Sequence, residues 1–432
     1  MSESRLRDGP GAAATTPAGL DAATVDEWIA RVAVERARTA PPADFPTLPD
    51  LPGGRYTDGD FFALERTRLW RRTWLYAGHV DQLAEPGAFF VWPYGSAPIV
   101  LMRGDDGEVR AFYNTCRHRG APVLRTEQGV AGPVLVCGYH GWSYDRAGRL
   151  RGVTERRDWT AVDPACRSLV AVRCERFGNW LFVNEDRQAE PLADFLAPLA
   201  RYLAHLPLQE FKLIDRRAFA VRCHYKVLLE NFLEAYHFKL LHPRTTDRIF
   251  DYQGTSVHLW RNGHSMMLSP NRRADWVDPG AIGMPELSHA TAIERDHNPS
   301  YCVFPNLILP IAPSGIPCIT IWPTSLTESA MEVLWFAPGA RSPRDPLWDT
   351  RIANFDRIVD EDIQFAEPMQ ASITSPGFTG VPLNYQERRI YHWHEELDRR
   401  LGRERVPEAL RVRPLLAGWV DDERIAAEAA PV

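Results

Sequence analysis

The chain has 432 residues, of which 45% are hydrophobic and 25% charged, and its formal net charge is -6. These fractions are typical of soluble globular proteins, and the length predicts two or three domains. The negative charge argues against a protein that mainly neutralises nucleic-acid phosphates. The first residues lack the apolar core of a signal peptide, and no run reaches the ~18 apolar residues of a membrane span. We therefore expect a cytoplasmic protein that binds neither nucleic acid nor membranes.

Three changes in composition along the chain predict its organisation. Residues 1–54 are rich in Ala, Pro and Thr, which predicts a loosely ordered arm with one short helix near 25–37. Residues 55–75 carry apolar side chains at helical spacing, so we expect a helix that packs on the C-terminal domain. Short apolar runs broken by glycines predict an all-β domain over 76–186. Mixed helical and strand patterns predict an α+β domain over 187–432.

Two pairs of Cys and His stand in the β domain, Cys116 with His118 and, after eighteen residues, Cys137 with His140. Such pairs can hold zinc, or a [2Fe-2S] cluster with both thiolates on one iron and both imidazoles on the other. Structural zinc sites usually pair cysteines two to four residues apart, whereas each loop here offers one thiolate and one imidazole. The spacing therefore favours a cluster of the Rieske type.

The residues beside these pairs refine the prediction. Gly120, Gly138 and Gly141 are expected to let the backbone of both loops approach the sulfur atoms. Trp142 stands where a hydroxyl could have donated a hydrogen bond to a bridging sulfide. Because fewer hydrogen bonds to sulfur stabilise the reduced cluster less, we expect a potential toward the low end of the Rieske range, about -150 mV.

A second group of metal-binding side chains follows on a predicted helix over 226–241. It carries Glu230, Glu234 and His237, and His242 and Pro243 come directly after it. Iron that activates O2 outside haem typically uses two histidines and one carboxylate. Histidines five residues apart point about 140° from each other on a regular helix, so they reach one ion only if the helix ends or bulges between them. Pro243 favours such an ending, although histidines at this spacing are more often simply core or surface residues.

A later helix, predicted over 348–370, carries several carboxylates that could provide the third iron ligand. Its apolar stripe runs through Ile352, Phe355, Val359, Ile363 and Ala366. At ~100° per residue Asp362 falls inside this stripe, whereas Glu361 points nearly opposite. A carboxylate that faces the core is costly unless it is paired or binds metal. Asp362 is therefore the predicted ligand, with a buried salt bridge as the alternative.

Segments 116–121, 137–144 and 230–243 together resemble the α subunit of Rieske non-heme iron oxygenases, the aromatic-ring-hydroxylating oxygenases. The resemblance covers roughly residues 56–389. It implies a β-rich Rieske domain and a catalytic domain in which a long sheet grips a helix. It also implies two cofactors, a [2Fe-2S] cluster on Cys116, His118, Cys137 and His140 and a mononuclear Fe(II) on His237, His242 and Asp362. In this family proline commonly stands at the position of Gly138.

The resemblance implies the terminal component of an oxygenase that uses O2 to hydroxylate a small organic, aromatic substrate. The alternative is an N- or O-demethylase or monooxygenase acting on a methylated amine or ether. Glu234 stands where many ring hydroxylases have aspartate, and a glutamate here is also similar to oxygenases of quaternary amines. A Rieske electron carrier, which needs only the β domain, and a zinc-stabilised binding module are the competing classes outside the oxygenases.

The partners are implied by cofactor fingerprints that the sequence lacks and by the same resemblance. The chain has no flavin or nicotinamide fingerprint, so a separate reductase, with or without a ferredoxin, must supply electrons, and NAD(P)H would act only through that reductase. The resemblance further implies a homotrimer or an α3β3 ring. In such a ring Glu234 would bridge His237 of its own chain and His140 of the next. The alternative role for Glu234 is a salt bridge at the protein surface.

Overall fold

The computed structural model describes residues 20–422, apart from 207, 274–275, 277–281 and 339–345. The short helix predicted near 25–37 is present, but this segment is docked and not the loosely ordered arm predicted for residues 1–54. Helix α1 (Ala22–Ala37) is capped by the Asp21 carboxylate and buries Trp28 and Val32. Trp28 packs against Tyr202, with 5.1 Å between ring centroids. These apolar side chains are four residues apart and form one helix face, so the segment docks on the body despite its Pro-rich surroundings. Residues 1–19 of the predicted arm lie outside the described residues.

The helix predicted over 55–75 is divided and shorter. Strand β1 (Leu51–Pro52) leads into the single turn α2 (Gly54–Thr57) and then α3 (Gly59–Arg68). The Asp58 side chain accepts hydrogen bonds from two amides at the start of α3, which separates the two helices. Arg55 pairs with Asp398 at 2.8 Å, and both side chains are buried, so this segment is attached to the C-terminal part of the chain.

The β domain contains two antiparallel sheets. Seven strands follow the order β2-β11-β10-β5-β4-β3-β6, and a smaller sheet follows the order β7-β8-β9. The first Cys-His loop lies between β5 and β6, and the second joins β7 to β8. The strands are β2 (Leu75–His79), β3 (Ala88–Trp92), β4 (Ile99–Arg103), β5 (Val109–Tyr113), β6 (Gln128–Val130), β7 (Val134–Val136), β8 (Ser143–Asp145), β9 (Leu150–Gly152), β10 (Ala171–Phe177) and β11 (Trp180–Asn184).

The C-terminal domain is built on another seven-stranded antiparallel sheet, in the order β12-β18-β17-β16-β15-β14-β13. Its strands are β12 (Phe211–Val221), β13 (Ser256–Leu259), β14 (Ser265–Pro270), β15 (His297–Val303), β16 (Leu307–Pro310), β17 (Ile316–Pro323) and β18 (Ser329–Pro338), while β19 (Gly380–Val381) pairs with β1. The helices are α4 (Leu192–Leu203), α5 (Tyr225–Asn231), α6 (Phe238–Leu241), α7 (Thr246–Ile249), α8 (Ala292–Asp296), α9 (Pro346–Ile373) and α10 (Arg388–Leu401).

The packing of the two domains sets the position of the sites. Trp322, at the end of β17, stacks on Tyr94 with 4.6 Å between centroids and meets Trp92 edge-on. Aromatic contacts of this kind fix the β domain against the large sheet. Helix α5 lies between β17 and α9, so the segment after α5 faces the carboxylates of α9. Among the described residues, no helix is long and apolar enough to cross a membrane.

Candidate metal centres

The two Cys-His loops of the β domain share one backbone geometry. In the first loop, the Cys116 amide donates to the Ala121 carbonyl and the Gly120 amide donates to the Cys116 carbonyl. In the second loop, the Cys137 amide donates to the Trp142 carbonyl and the Gly141 amide donates to the Cys137 carbonyl. These four bonds measure 2.8–3.0 Å. Two loops of the same shape thus present one cysteine and one histidine each.

Two of the three predicted loop glycines are required by the backbone. Gly120 has a φ of 81° and Gly141 a φ of 70°, a region that side chains with a Cβ rarely adopt. A Cβ on Gly141 would also lie 2.6 Å from the Thr154 hydroxyl. Gly138 has no positive φ, and a Cβ there would meet its nearest neighbour, Arg125, at 3.6 Å. The backbone at Gly138 therefore tolerates a side chain, and the role of Gly138 in a close approach to the sulfur atoms stays a prediction.

The donor set of these loops fits an iron–sulfur cluster. Cys116 and Cys137 are buried, and the rings of His118 and His140 lie 4.6 Å apart between centroids. The Nδ1 atom of His118 is buried without a hydrogen-bond partner, as expected for a nitrogen reserved for metal. Burial raises the pKa of the Cys116 thiol, so a thiolate at this position needs a metal ion in place of its proton. We propose these four residues as the cluster ligands.

A hydrogen bond to one of the ligand sulfurs was missed by the sequence analysis. The Tyr144 hydroxyl accepts from the Arg117 amide at 2.9 Å and lies 3.3 Å from the Cys116 Sγ atom. Burial raises the pKa of Tyr144, so the hydroxyl keeps its proton and would donate a hydrogen bond to a Cys116 thiolate. Tyr144 lies on β8, seven residues after Cys137, and the spacing of Cys and His alone gave no reason to pair it with Cys116.

The imidazole side of this centre is reached from solvent. Trp142, in the position predicted to lack a hydroxyl, stacks on His118 at 5.1 Å with an angle of 10° between the ring planes. Beside the two histidines lies an open cleft of about 570 Å³, bordered by Thr154, Glu155, Asp158 and Trp159. A partner can therefore approach the imidazole edge, where electrons would enter or leave.

The second predicted site begins where one expected helix is broken. Instead of a helix over 226–241, α5 ends at Asn231 and α6 begins after His237. The Glu234 carboxylate accepts hydrogen bonds from the Tyr236 and His237 amides, which replaces the helical bonds of these amides. His237 caps one end of α6 and His242 the other. Both imidazoles therefore turn toward the same point, which a continuous helix would prevent.

Three side chains converge at this point. The Asp362 Oδ1 atom lies 3.1 Å from the Nε2 atom of His242 and 3.8 Å from the Nε2 atom of His237. One candidate ligand atom from each residue lies within 4.8 Å of the others. Burial lowers the pKa of His242, but its bonds with Asp362 and Glu361 outweigh burial and raise it. Two imidazoles and one carboxylate on one side of a shared point suit mononuclear non-heme iron, and we propose them as its ligands.

The carboxylates of α9 are arranged partly as predicted. Asp362 is 3% exposed, whereas Asp360 is exposed and Glu367 pairs with Arg222 at 2.9 Å. The prediction that Glu361 points nearly opposite to the site is wrong, because its Oε2 atom lies 2.7 Å from the Nδ1 atom of His242. Neighbouring helix positions differ by only ~100°, and the longer glutamate side chain bridges that angle.

Glu234 contacts His237 directly. The Oε1 atom of Glu234 forms a hydrogen bond with the Nδ1 atom of His237, and the Glu234 side chain is 9% exposed. An ionised carboxylate only accepts hydrogen bonds, so Nδ1 carries the proton and the Nε2 lone pair faces Asp362. The contact within the chain is thus formed, and the alternative of a surface salt bridge does not describe this residue.

Other buried polar groups anchor the segment before the histidines. Glu230 accepts from the Tyr56 hydroxyl and from the Nε2 atom of His394, each at 2.9 Å. Arg55 donates to the Nδ1 atom of His394, which assigns the proton to Nε2. Burial raises the pKa of Glu230 to about 8. The network joins α2, α5 and α10 and gives His394 a structural role.

Comparisons with known families and proteins agree with this architecture. Residues 73–166 match the family model of the Rieske [2Fe-2S] domain, and residues 208–403 match that of the ring hydroxylating alpha subunit (catalytic domain). The matched segments contain all eight of the predicted site residues. The catalytic-domain match also sets the chain apart from a Rieske electron carrier or a zinc-stabilised module, because neither contains such a domain.

Curated relatives include oxygenases of two substrate classes. The glycine betaine monooxygenase oxygenase subunit of Pseudomonas aeruginosa is 24% identical over 373 residues, 77% of this chain and 84% of the relative. The Chromohalobacter salexigens protein of that name is 32% identical over 48% of this chain, and benzene 1,2-dioxygenase subunit alpha of Pseudomonas putida is 35% identical over 38%. The chain spans less than half of the latter two relatives, 46% and 38%.

Solved structures show the same fold. The quaternary ammonium Rieske monooxygenase CntA, in complex with L-carnitine, superposes with a TM-score of 0.68 at 21% identity. The match covers 84% of this chain and 99% of the other. The chain belongs to the α subunits of the Rieske non-heme iron oxygenases, oxidoreductases that combine a [2Fe-2S] domain with a catalytic domain that binds mononuclear iron.

Proposed function

We propose that this chain is the oxygenase component of a monooxygenase that oxidises a methylated, quaternary amine. The observation that carries the proposal is the extent of the likeness to glycine betaine monooxygenase, which runs through both domains. The match to the benzene dioxygenase subunit has a higher sequence identity, 35%, but it covers only 170 residues. A methylated amine is thus favoured as the substrate over the aromatic compound that was expected.

The residues of the catalytic domain support the chemistry that such an enzyme needs. When bound, the mononuclear iron would supply reductive activation of O2, and the cluster would supply electrons one at a time. His237, His242 and Asp362 would hold the iron, while Glu234 keeps the proton of His237 on Nδ1. Asp362 is buried on the same face of α9 as Val359 and Ala366, which keeps bulk water away from this carboxylate.

The overall reaction defines what the partners must provide. In an N-demethylation, one atom of O2 enters a methyl group, which leaves as formaldehyde, and the other becomes water. The balance requires two electrons and two protons for each O2, and the nitrogen takes up the hydroxyl proton of the hydroxymethyl group when formaldehyde leaves. We therefore propose a separate reductase as the electron source, with NAD(P)H as its reductant, and a homotrimer or α3β3 ring as the assembly.

The test uses the purified chain with both metals bound and a surrogate reductase. Glycine betaine, carnitine and choline form one set of substrates, and benzene and benzoate form the other. We expect O2 uptake with the amine set, coupled to stoichiometric formaldehyde or another carbonyl product. Coupled uptake with the aromatic set alone, giving a dihydrodiol, would instead establish the second candidate, which the likeness to benzene dioxygenase favours.

A further inference from the structure

A second carboxylate of α9, that of Glu361, contacts the proposed iron ligand His242 on the ring nitrogen remote from the site. Asp362 faces the Nε2 atom of His242 at 3.1 Å, while the Glu361 Oε2 atom lies 2.7 Å from Nδ1 on the other side of the same ring. The Thr245 hydroxyl donates to the same Glu361 oxygen at 2.6 Å. His242 therefore lies between two consecutive residues of one helix.

The proton on His242 follows from these contacts. An ionised carboxylate cannot donate a hydrogen bond, so the Nδ1 atom must carry the proton that it shares with Glu361. The Nε2 atom faces Asp362 at 3.1 Å, and a metal bound there would take the place of the Nε2 proton while Nδ1 keeps its bond to Glu361. In metal sites generally, a carboxylate on the remote nitrogen fixes the orientation of a ligating imidazole and increases its basicity.

We propose that Glu361 is a positioning residue that holds His242 in its metal-binding tautomer and orientation, with Thr245 holding Glu361 in place. The proposal rests on the proposed ligand role of His242, and it is independent of the substrate. Glu361 lies on the Nδ1 side of the ring, whereas the three proposed ligands meet on the Nε2 side. Its effect passes through the imidazole.

The two histidines are supported differently, which gives Glu361 a particular role. Glu234, the partner of His237, comes from three residues earlier in the same turn and has two further bonds to local amides. Glu361 is 119 residues away from His242 in sequence. Its bonds to His242 and Thr245 join α9, which provides Asp362, to the turn that provides His242. Loss of Glu361 should therefore make the distance between Asp362 and His242 more variable, in addition to the orientation of the His242 ring.

The experiment measures metal binding without turnover. Mononuclear iron is removed from the purified chain, the cluster is kept oxidised and therefore silent in EPR, and Co²⁺ is titrated while its own EPR signal is recorded. We expect Glu361→Ala to weaken Co²⁺ binding 10- to 100-fold, the range typical of lost partners of metal ligands. Glu361→Gln should lie between this variant and the parent, since the amide oxygen still accepts from Nδ1.

The controls separate this role from a general loss of structure. Asp360→Ala changes the exposed neighbour on the same helix and should bind Co²⁺ as the parent does. Thr245→Val should also weaken Co²⁺ binding, but by less than Glu361→Ala. Because it retains the Glu361 carboxylate, it still tests the proposal if Glu361→Ala fails to fold. Parent-like affinity in both Glu361→Ala and Thr245→Val, with the cluster spectrum intact, would overturn the proposal. Failure to oxidise amines would count against the proposed substrate and leave the Co²⁺ result unaffected.

Discussion

Gly138 and Gly141 lie three residues apart in the second cluster loop but in different backbone regions. Gly141→Ala places a Cβ residue at a φ of 70° and against Thr154, whose hydroxyl donates to the His140 carbonyl. We expect it to lower the free energy of unfolding of the β domain by ~1–2 kcal/mol. Gly138→Ala should change it by less than ~0.5 kcal/mol. The measurement is the urea dependence of the cluster's visible absorbance, and equal effects of the two variants would contradict the assignment.

We expect Tyr144 to raise the reduction potential of the cluster. Its hydroxyl donates to Cys116, and such a bond is stronger when the reduced cluster places more negative charge on sulfur. Tyr144→Phe should therefore lower the potential, on the order of tens of millivolts, because a hydrogen bond contributes ~1 kcal/mol and a tenfold change for one electron is ~59 mV. Potentiometric titration of the EPR signal measures this shift. Tyr139→Phe, at an exposed side chain of the loop before β8, is the control and should leave the potential unchanged.

At the scale of elements, α9 is expected to provide the third iron ligand through Asp362. Asp362→Ala should abolish turnover and remove mononuclear iron, while the cluster spectrum stays intact because its ligands lie in the other domain. Asp360→Ala, two residues earlier on an exposed position, should retain iron. Iron content by elemental analysis, together with the EPR signal of the reduced cluster, distinguishes the two variants. Loss of iron in Asp360→Ala instead would refute the assignment.

The same helix shows what periodicity can and cannot predict. The apolar stripe of α9 correctly predicted that Asp362 is buried, because burial follows from the angle of a residue around the helix axis. It could not predict the contact of Glu361, which depends on side-chain length and on a turn distant in sequence. The break between α5 and α6 was also only partly predictable, since Pro243 suggested an ending but the bonds of Glu234 to backbone amides determine where the helix stops.

At the scale of the whole molecule, the order of the two metal motifs was sufficient to predict both domains and the family. The arrangement of the domains was not predictable, because it depends on side chains that meet across the chain, such as Tyr94 and Trp322. The N-terminal segment was predicted only in part, because the short helix near 25–37 is present as α1 but is docked on the body. Its Pro-rich surroundings suggested a loose arm, whereas two apolar residues on one face are enough to dock α1.

Several surfaces near the two proposed sites suit a ring of subunits. Tyr236 and Leu240, beside the proposed iron ligands, are 59% and 86% exposed, and Tyr139, beside His140, is 57% exposed. Exposed apolar side chains of this size commonly mark contacts between proteins. An open cleft also borders His140 in the single chain. These features support the assembly in which the cluster of one chain approaches the iron site of the next.

In this assembly Glu234 is predicted to connect His237 of its own chain with His140 of the neighbouring chain. Glu234 already bonds to His237, and each carboxylate oxygen can accept a further hydrogen bond. Glu234→Gln should therefore keep both metals and the oligomer and allow normal reduction of the cluster, yet slow electron transfer from cluster to iron at least tenfold in single-turnover experiments. Glu234→Asp keeps the charge and should recover part of the rate. Transfer at the parent rate in Glu234→Gln would remove Glu234 from the electron path and leave it only the local role of orienting His237.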